Sequence, residues 1–568
     1  DWRPEAPLEG DGTLTLADWR ADGAGIAADE LDVSFTLAPR DGGRIDLRGP
    51  VEISGPLGEG EVRGLVAALD LGVIWDAGWR VVPNQGCLSV RLGGVDAAGL
   101  SFSNGAFALC PHNGALIASD ALGNLSGGFS IQRLALNGRM AGPDAQPARL
   151  GATNVIGRFS GRQGDVNLAI EAGAPTLRIE MAEARALAIA MQRLTARAQI
   201  DESWRVEGAF ERGTLADPSL PGTVSTIAGV WTAAPEDGKP VIRVAAGEAL
   251  LTANRPESTE DRALFNPLRL VEVGAVLRNG RIDASGAVVL AERARQLARF
   301  TAFHGTADGV GGAQIVAQDL MFDETLQPFE ITEQARGMVD NVRGHASVTA
   351  DIAWTRAAIT GTARARLDGL SLATSTIPVV ENVRGEVFFD DVFAPTTAPG
   401  QNITVGLVNP GIAVRDGRVR FQLLPEQRVS IEQAEFDFAG GVLAMSPTII
   451  ALGAEETRFE LALRDVDAAR LVADLNLPDL AASGRVEGTF PLRLTRRSGF
   501  IENGVLRAQP GGGAIAYTGN AGASATGPAR LAFDALRSFR YDNLSLTLNG
   551  DLSGEVVSQI AFSGENTG

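Results

Sequence analysis

The chain has 568 residues, 45% of them apolar, and its 50 basic and 69 acidic side chains give a net charge of −19. That apolar share excludes wholesale disorder, and a negative charge without any basic cluster argues against nucleic acid and against electrostatic docking on an anionic leaflet. Glycine is over-represented at 68 residues, but no G-X-Y period accompanies it, so collagen is excluded.

From the N-terminus onward, apolar and polar residues alternate with period two, which predicts strands with one dry and one wet face. Cys87 and Cys110, the only cysteines, sit in the strand-like stretches GCLSVRL and GAFALCP on either side of Asn104-Gly105. They lack the C-x-x-C redox spacing and the further ligands of a zinc site. A structural disulfide, implying an oxidising compartment, is favoured over two buried thiols packing as small hydrophobes. RIEMAEARALAIAMQRL (178–194) reads as strand because Leu187, Ile189 and Met191 alternate. Val271, Val273, Ala275 and Leu277 then point one way, and after Asn279-Gly280 the pattern resumes with Ile282, Ala284, Gly286, Val288 and Leu290. An Asx-Gly pair between alternating runs predicts a tight hairpin, and the same cue stands at 104–105, 137–138, 416–417, 503–504 and 549–550.

Further alternating runs place Ile359, Gly361, Ala363, Ala365 and Leu367 on one face, then Val419, Phe421 and Leu423, then Phe459, Leu461 and Leu463. Helices are predicted at 291–300, at 331–342 behind a Thr332 cap, and at 467–475 behind an Asp467 cap. Breaker-rich stretches at 142–148, 254–262, 394–400 and 519–527 read as loops. No run of 18 apolar residues exists, so no helix is predicted to span a bilayer. Both ends read as cut points of a longer protein.

The dry face needs a cover, and its residues are small: Ala and Gly fill many positions and aromatics make up only 6%. Either two sheets pack normally, or one curved sheet leaves an open trough. A trough would suit acyl chains, since each buried CH₂ contributes ~0.8 kcal/mol and a 16-carbon chain roughly 12 kcal/mol. Its predicted lining is Val271, Val273, Leu277, Ile282, Val288, Ile359, Ala363, Leu367, Val419, Phe421, Leu423, Phe459, Leu461 and Leu463. The chemistry-bearing residues point to no catalytic, metal or cofactor site. His112, His304 and His345 are dispersed, and no Ser-His-Asp set can be assembled from them. Asp390-Asp391 and Asp465/Asp467 read as strand-end acids and caps rather than a glycosidase pair. The glycines of 510–517 lack the lysine and helix of a phosphate loop.

Several separated blocks, in order, carry a family resemblance. They include ARFTAFHGTADGVGGAQIVAQDLMF (298–322), LQPFEITEQARGMVDNVRGHASV (326–348), GLSLATSTIPVVENVRGEVFF (369–389), the stretch 399–441, SGRVEGTFPLRL (483–494), GFIENGVLRAQPGGGAIAYTG (499–519) and the stretch 535–566. From about residue 265 onward the chain resembles the YdbH-type family of AsmA-like envelope proteins, often labelled with a dicarboxylate transport domain. The resemblance implies an all-β fold: an elongated, curved antiparallel sheet forming a taco-like groove, with a few short helices. It implies that phospholipids move along that groove between the two membranes of a Gram-negative envelope. Other expectations are an inner-membrane anchor and a small outer-membrane lipoprotein that adds a strand at the C-terminal end, with no enzymatic activity or cofactor. Residues 1–264 match this pattern weakly and 265–568 strongly, and both are read as one continuous structure. About 30 strands at ~4.8 Å spacing would stack to on the order of 140 Å. Dicarboxylate transport lacks support, because neither membrane spans nor cationic pockets are present. The competing reading is a structural or adhesive β-rod that carries no lipid, although the strict short repeat of a β-helix is absent.

Overall fold

A computed structural model describes residues 7–566 apart from 22, 39–41, 58–59, 98, 141–144, 163–164, 181–185, 201–202, 218–219, 255–262, 307, 356, 376, 410–412, 476, 478, 497, 520–526, 528–536 and 553–554. Among these residues strands dominate. The helical elements are Pro328–Ile331, a 3₁₀ turn at Glu333–Ala335, and Ala468–Asp474. The fold class is all-β and antiparallel, as expected from the alternation. The chain divides into two compact units. The first comprises residues 1–255, 267–313 and 353–359, and the second comprises 256–266, 314–352 and 360–568. Residues 267–313, where the family-like stretch begins, therefore pack with the first unit.

Within each unit many strands carry an interruption. One residue adopts a left-handed backbone in mid-strand: Asp18, Asn104, Asn154, Arg212, Thr226 and Glu272 in the first unit, and Asn341, Asn382, Asp416, Asp465 and Asn503 in the second. Several coincide with register shifts, as at Val271/Gly274 and Leu463/Val466. Such bulges bend a strand and increase its twist. Buried clusters straddle the line they form. Val342, Leu370, Val383 and Val405 make one cluster beside Asn341, Asn382 and Gly369, and Leu92, Phe102 and Leu136 make another beside Asn104. The apolar arms on either side of a bend thus meet at a packed crease.

Bulges account for the Asx-Gly cues at Asn104, Asp416 and Asn503, which take positive φ in mid-strand, whereas Asn137-Gly138 lies in an unbroken ladder. Only Asn279-Gly280 joins two strands, Leu268–Arg278 and Arg281–Leu290. The pairs at 104–105, 137–138, 416–417, 503–504 and 549–550 all lie inside strands. A type I′ turn and a bulge both ask for positive φ, and Asn, Asp and Gly supply it in either setting.

Two predicted helices change. The segment 291–300 enters the strand Gln296–Gly305, which pairs with Arg281–Leu290; an exposed sheet edge outweighs local helix propensity. The 331–342 helix shortens to the 3₁₀ turn behind Thr332, whose side chain accepts from the Gln334 amide, and the chain turns at Gly337 (φ 80°). The third prediction holds: Asp467 caps Ala468–Asp474, accepting from the amides of Ala469 and Arg470. Strand also holds for most of the described part of 178–194, in Asp165–Glu180, Ala186–Ala190 and Arg193–Ile200, while Met191 and Gln192 lie between strands. Most of the loops predicted at 254–262 and 519–527 lies outside the described residues.

Cys87 and Cys110 are disulfide-bonded, 23 positions apart and directly beside the Leu88–Leu109 pair of neighbouring strands. Closing a loop of that length restricts the unfolded chain by about 3 kcal/mol. Cys87→Ser with Cys110→Ser should lower unfolding free energy by about that amount, readable in urea titrations. No loss would show that strand pairing alone holds this hairpin.

Candidate functional site: the apolar face

Residues opposed across an antiparallel pair share a face, so the registers define the site row by row. In the first unit Trp231, Val244, Ala275, Ala284 and Ala302 form one row across five strands. The neighbouring row on the same face is Ala233, Ile242, Leu277, Ile282 and His304. In the second unit Leu367, Gly385, Ile403, Val419, Ala434, Met445, Leu461 and Phe490 continue in the same manner from strand to strand.

Burial of this face is incomplete. Of the fourteen predicted lining residues only Phe421 and Leu463 are buried; the other twelve are half-buried. A close-packed sandwich would bury them all. Glycines account for part of the difference. Phe300 lies over Gly286 on the adjacent strand, where an added Cβ would come within 2.8 Å of the ring. Phe490 covers Gly504 in the same way at 2.6 Å, and Phe129 and Phe436 cover Gly157 and Gly417. A ring seated on a neighbouring glycine adds apolar area to the wall without height above it. The face is therefore lined but not filled.

One region differs. In the second unit Leu443, Leu463, Val466, Val486, Phe490 and Leu506 form a buried cluster, and the helix Ala468–Asp474 adds Ala468 and Leu471 to it. There the protein supplies its own filling.

One predicted lining residue changes face. Glu272 takes φ 54° and two residues of its strand oppose Gly286 alone, so alternation reverses between Val271 and Val273. Val273 and Leu277 share the face of Ile282 and Val288, whereas Leu270, paired with Val288, takes the place assigned to Val271. Val271 instead faces outward with Ala287. The alternation rule also passed over Trp231, Val244 and Ala302 on this face, although their runs are legible by the same period-two signal. His304, which carries no metal-ligand spacing in the sequence, also lies on this face, opposed to Ile282.

The opposite face is ionic. Arg44 donates to Asp46, and Asn84 bridges Asp46 and Asp70 at 2.9 and 3.0 Å. The hydrogen bond from Arg44 holds the Asp46 carboxyl below the usual carboxylate range, and the one from Asn84 does the same to Asp70. Arg458 pairs with Glu456, and Arg493 with Glu502. Two shallow cavities also belong to this side. One of about 650 Å³ is lined by Val230, Thr232, Arg243, Asp283 and Ser285, and one of about 510 Å³ by Arg384, Arg418, Arg420 and Glu435. Their linings also include residues of the apolar rows: Trp231, Val244, Ala275, Ala284 and Ala302 in the first, and Gly385, Ile403 and Val419 in the second. Among the described residues no group of acidic, His or Cys side chains is arranged to hold a metal, and no helix is long and apolar enough to cross a membrane.

The profile of the YdbH-like family, described as intermembrane phospholipid transport protein YdbH, matches residues 2–568. The match takes in the first 264 residues, where the resemblance is weak. No curated protein sequence matches the chain. The chain belongs to the YdbH-like intermembrane phospholipid transport family.

Proposed function

We propose that this chain is a conduit for phospholipid, with acyl chains resting on the apolar face described above and headgroups beyond the strand ends. The observation that carries the reading is the partial exposure of an apolar wall in the first unit, where every residue of the row Trp231, Val244, Ala275, Ala284 and Ala302 is only half-buried. Such a wall attracts alkyl chains by ~0.8 kcal/mol per buried CH₂ and without direction, so a lipid can shift from row to row without a steep barrier. A structural or adhesive rod, the competing reading, would need the filling seen around Leu463 to recur along the row Trp231–Ala302. The proposed setting is the space between the two membranes of a cell envelope, with an inner-membrane anchor and no catalytic step or cofactor. An outer-membrane lipoprotein is the proposed partner at the C-terminal end.

The test is direct. Photo-reactive residues at Ala284 or Leu461, facing the trough, should form phospholipid adducts in a lipid-containing host. The same groups at Ser285 or Arg458, facing outward, should not. Mass spectrometry of extracts from the purified chain should recover phospholipid. Recovery of none, together with no adduct from the inner positions, would sink the conduit reading and favour the rod.

A further inference from the structure

We propose that His304 and Trp354 form a polar station on the trough wall of the first unit, where the imidazole donates to an oxygen of a phospholipid's phosphate group. The inference rests on the conduit reading and gives it a point of headgroup recognition.

His304 is opposed to Ile282 and continues the apolar row of Ile242 and Leu277. Of the three histidines it alone occupies these rows, and it is half-buried there. The indole of Trp354 reaches it across Gly311, whose missing Cβ leaves room for the ring. The two ring planes are inclined by only 21°, with centroids 6.4 Å apart. Trp354 Nε1 donates to His304 Nδ1 at 3.2 Å. With Nδ1 accepting, the ring carries its proton on Nε2. Among the described residues Nε2 has no partner.

A donor on an otherwise apolar wall costs free energy when it is covered without being satisfied. An alkyl chain sliding over His304 leaves the donor unsatisfied. A phosphodiester oxygen stopping there satisfies it. The station therefore favours lipids that bring an acceptor to the same height as their chains, and it fixes where along this wall a headgroup pauses. The indole contributes by setting which nitrogen donates and by holding the ring in plane, so Trp354 is a positioning residue.

Two probes separate this role from general greasiness: pyrene-acyl phosphatidylglycerol and pyrene-acyl diacylglycerol, offered in vesicles of neutral lipid to the whole chain. They share tails and differ in the phosphate. His304→Phe should lower capture of the phosphatidylglycerol probe about tenfold, the loss of one hydrogen bond to a charged acceptor, and leave diacylglycerol capture within twofold. Trp354→Phe keeps a ring but removes the indole N–H, and should give a smaller loss with the same selectivity. His304→Gln, which restores a donor, should recover part of the phosphatidylglycerol signal. If His304→Phe changes both probes equally or neither, the station is overturned while the conduit stands. If the unmodified chain captures neither probe, the conduit reading itself fails.

Discussion

Ala363→Arg should slow lipid passage on the order of a hundredfold while the protein stays folded, and Arg458→Glu should change almost nothing. Ala363 is half-buried on the apolar face, opposed to Phe389 in the second unit. The opposed Phe389 and the neighbouring pair Ala365–Val387 offer a guanidinium there no carboxylate. Each acyl chain that covers it must strip its water, at a cost of about 3 kcal/mol, equivalent to roughly two orders of magnitude in rate. Folding is spared because the long side chain can lift its charge out of the trough when no lipid is present. Arg458 lies on the other face with its side chain 66% exposed. Its pair with Glu456 is of the exposed kind that contributes little, and the opposed residue is Arg493, so a glutamate finds a partner in its place. Transfer of a fluorescent phospholipid between vesicles gives the rates, and thermal unfolding reports the fold. Equal effects from the two faces would refute the assignment of inside and outside.

The assignment was legible from period-two alternation wherever a strand is regular. Ile282, Ala284, Gly286 and Val288 fall on one face because their strand has no interruption between them. Alternation fails at the crease, for a physical reason. Left-handed backbone at Asn104, Asn382 or Asn503 is foreshadowed by residue type, but the same residue type announces a hairpin, and only the pairing partner separates the two. At Arg212, Thr226 and Glu272 nothing foreshadows it. Side chains that disfavour positive φ are held there by ladder hydrogen bonds on both sides, which no local pattern records. The open wall was half legible. Small residues suggested a trough and a sandwich equally, and the decision lies in glycines that receive rings from the next strand, a relation between residues 14 to 28 positions apart such as Gly286–Phe300 and Gly157–Phe129. His304 shows the converse failure: read by spacing to other ligands it is inert, and its setting depends on Trp354, 50 residues away.

The crease makes a second strong prediction, in which removing a residue does more harm than replacing it. Glu272 occupies the left-handed position of its strand, mostly exposed, with a 3.9 Å contact to Arg299 as its only ion pair. Glu272→Gly or Glu272→Asn keeps the extra residue and relieves a conformation unfavourable for glutamate by roughly 1 kcal/mol, so stability should rise slightly or stay level. Deleting Glu272 removes the bulge. Since side chains alternate strictly, a one-residue slip sends the whole arm to the other face. Leu268 and Leu270 would leave the face they share with Leu290 and Val288, and Arg269 would turn inward. Two leucines taken out of apolar contact cost about 1.5–3 kcal/mol each, hence roughly 3–6 kcal/mol together. Urea unfolding should show this loss, accompanied by exposed apolar surface that binds a hydrophobic dye. The substitution and the deletion remove the same side chain, so their difference isolates the backbone's role. If both left stability unchanged, the crease would be a local irregularity, and the two arms would owe their facing to something other than the bulge.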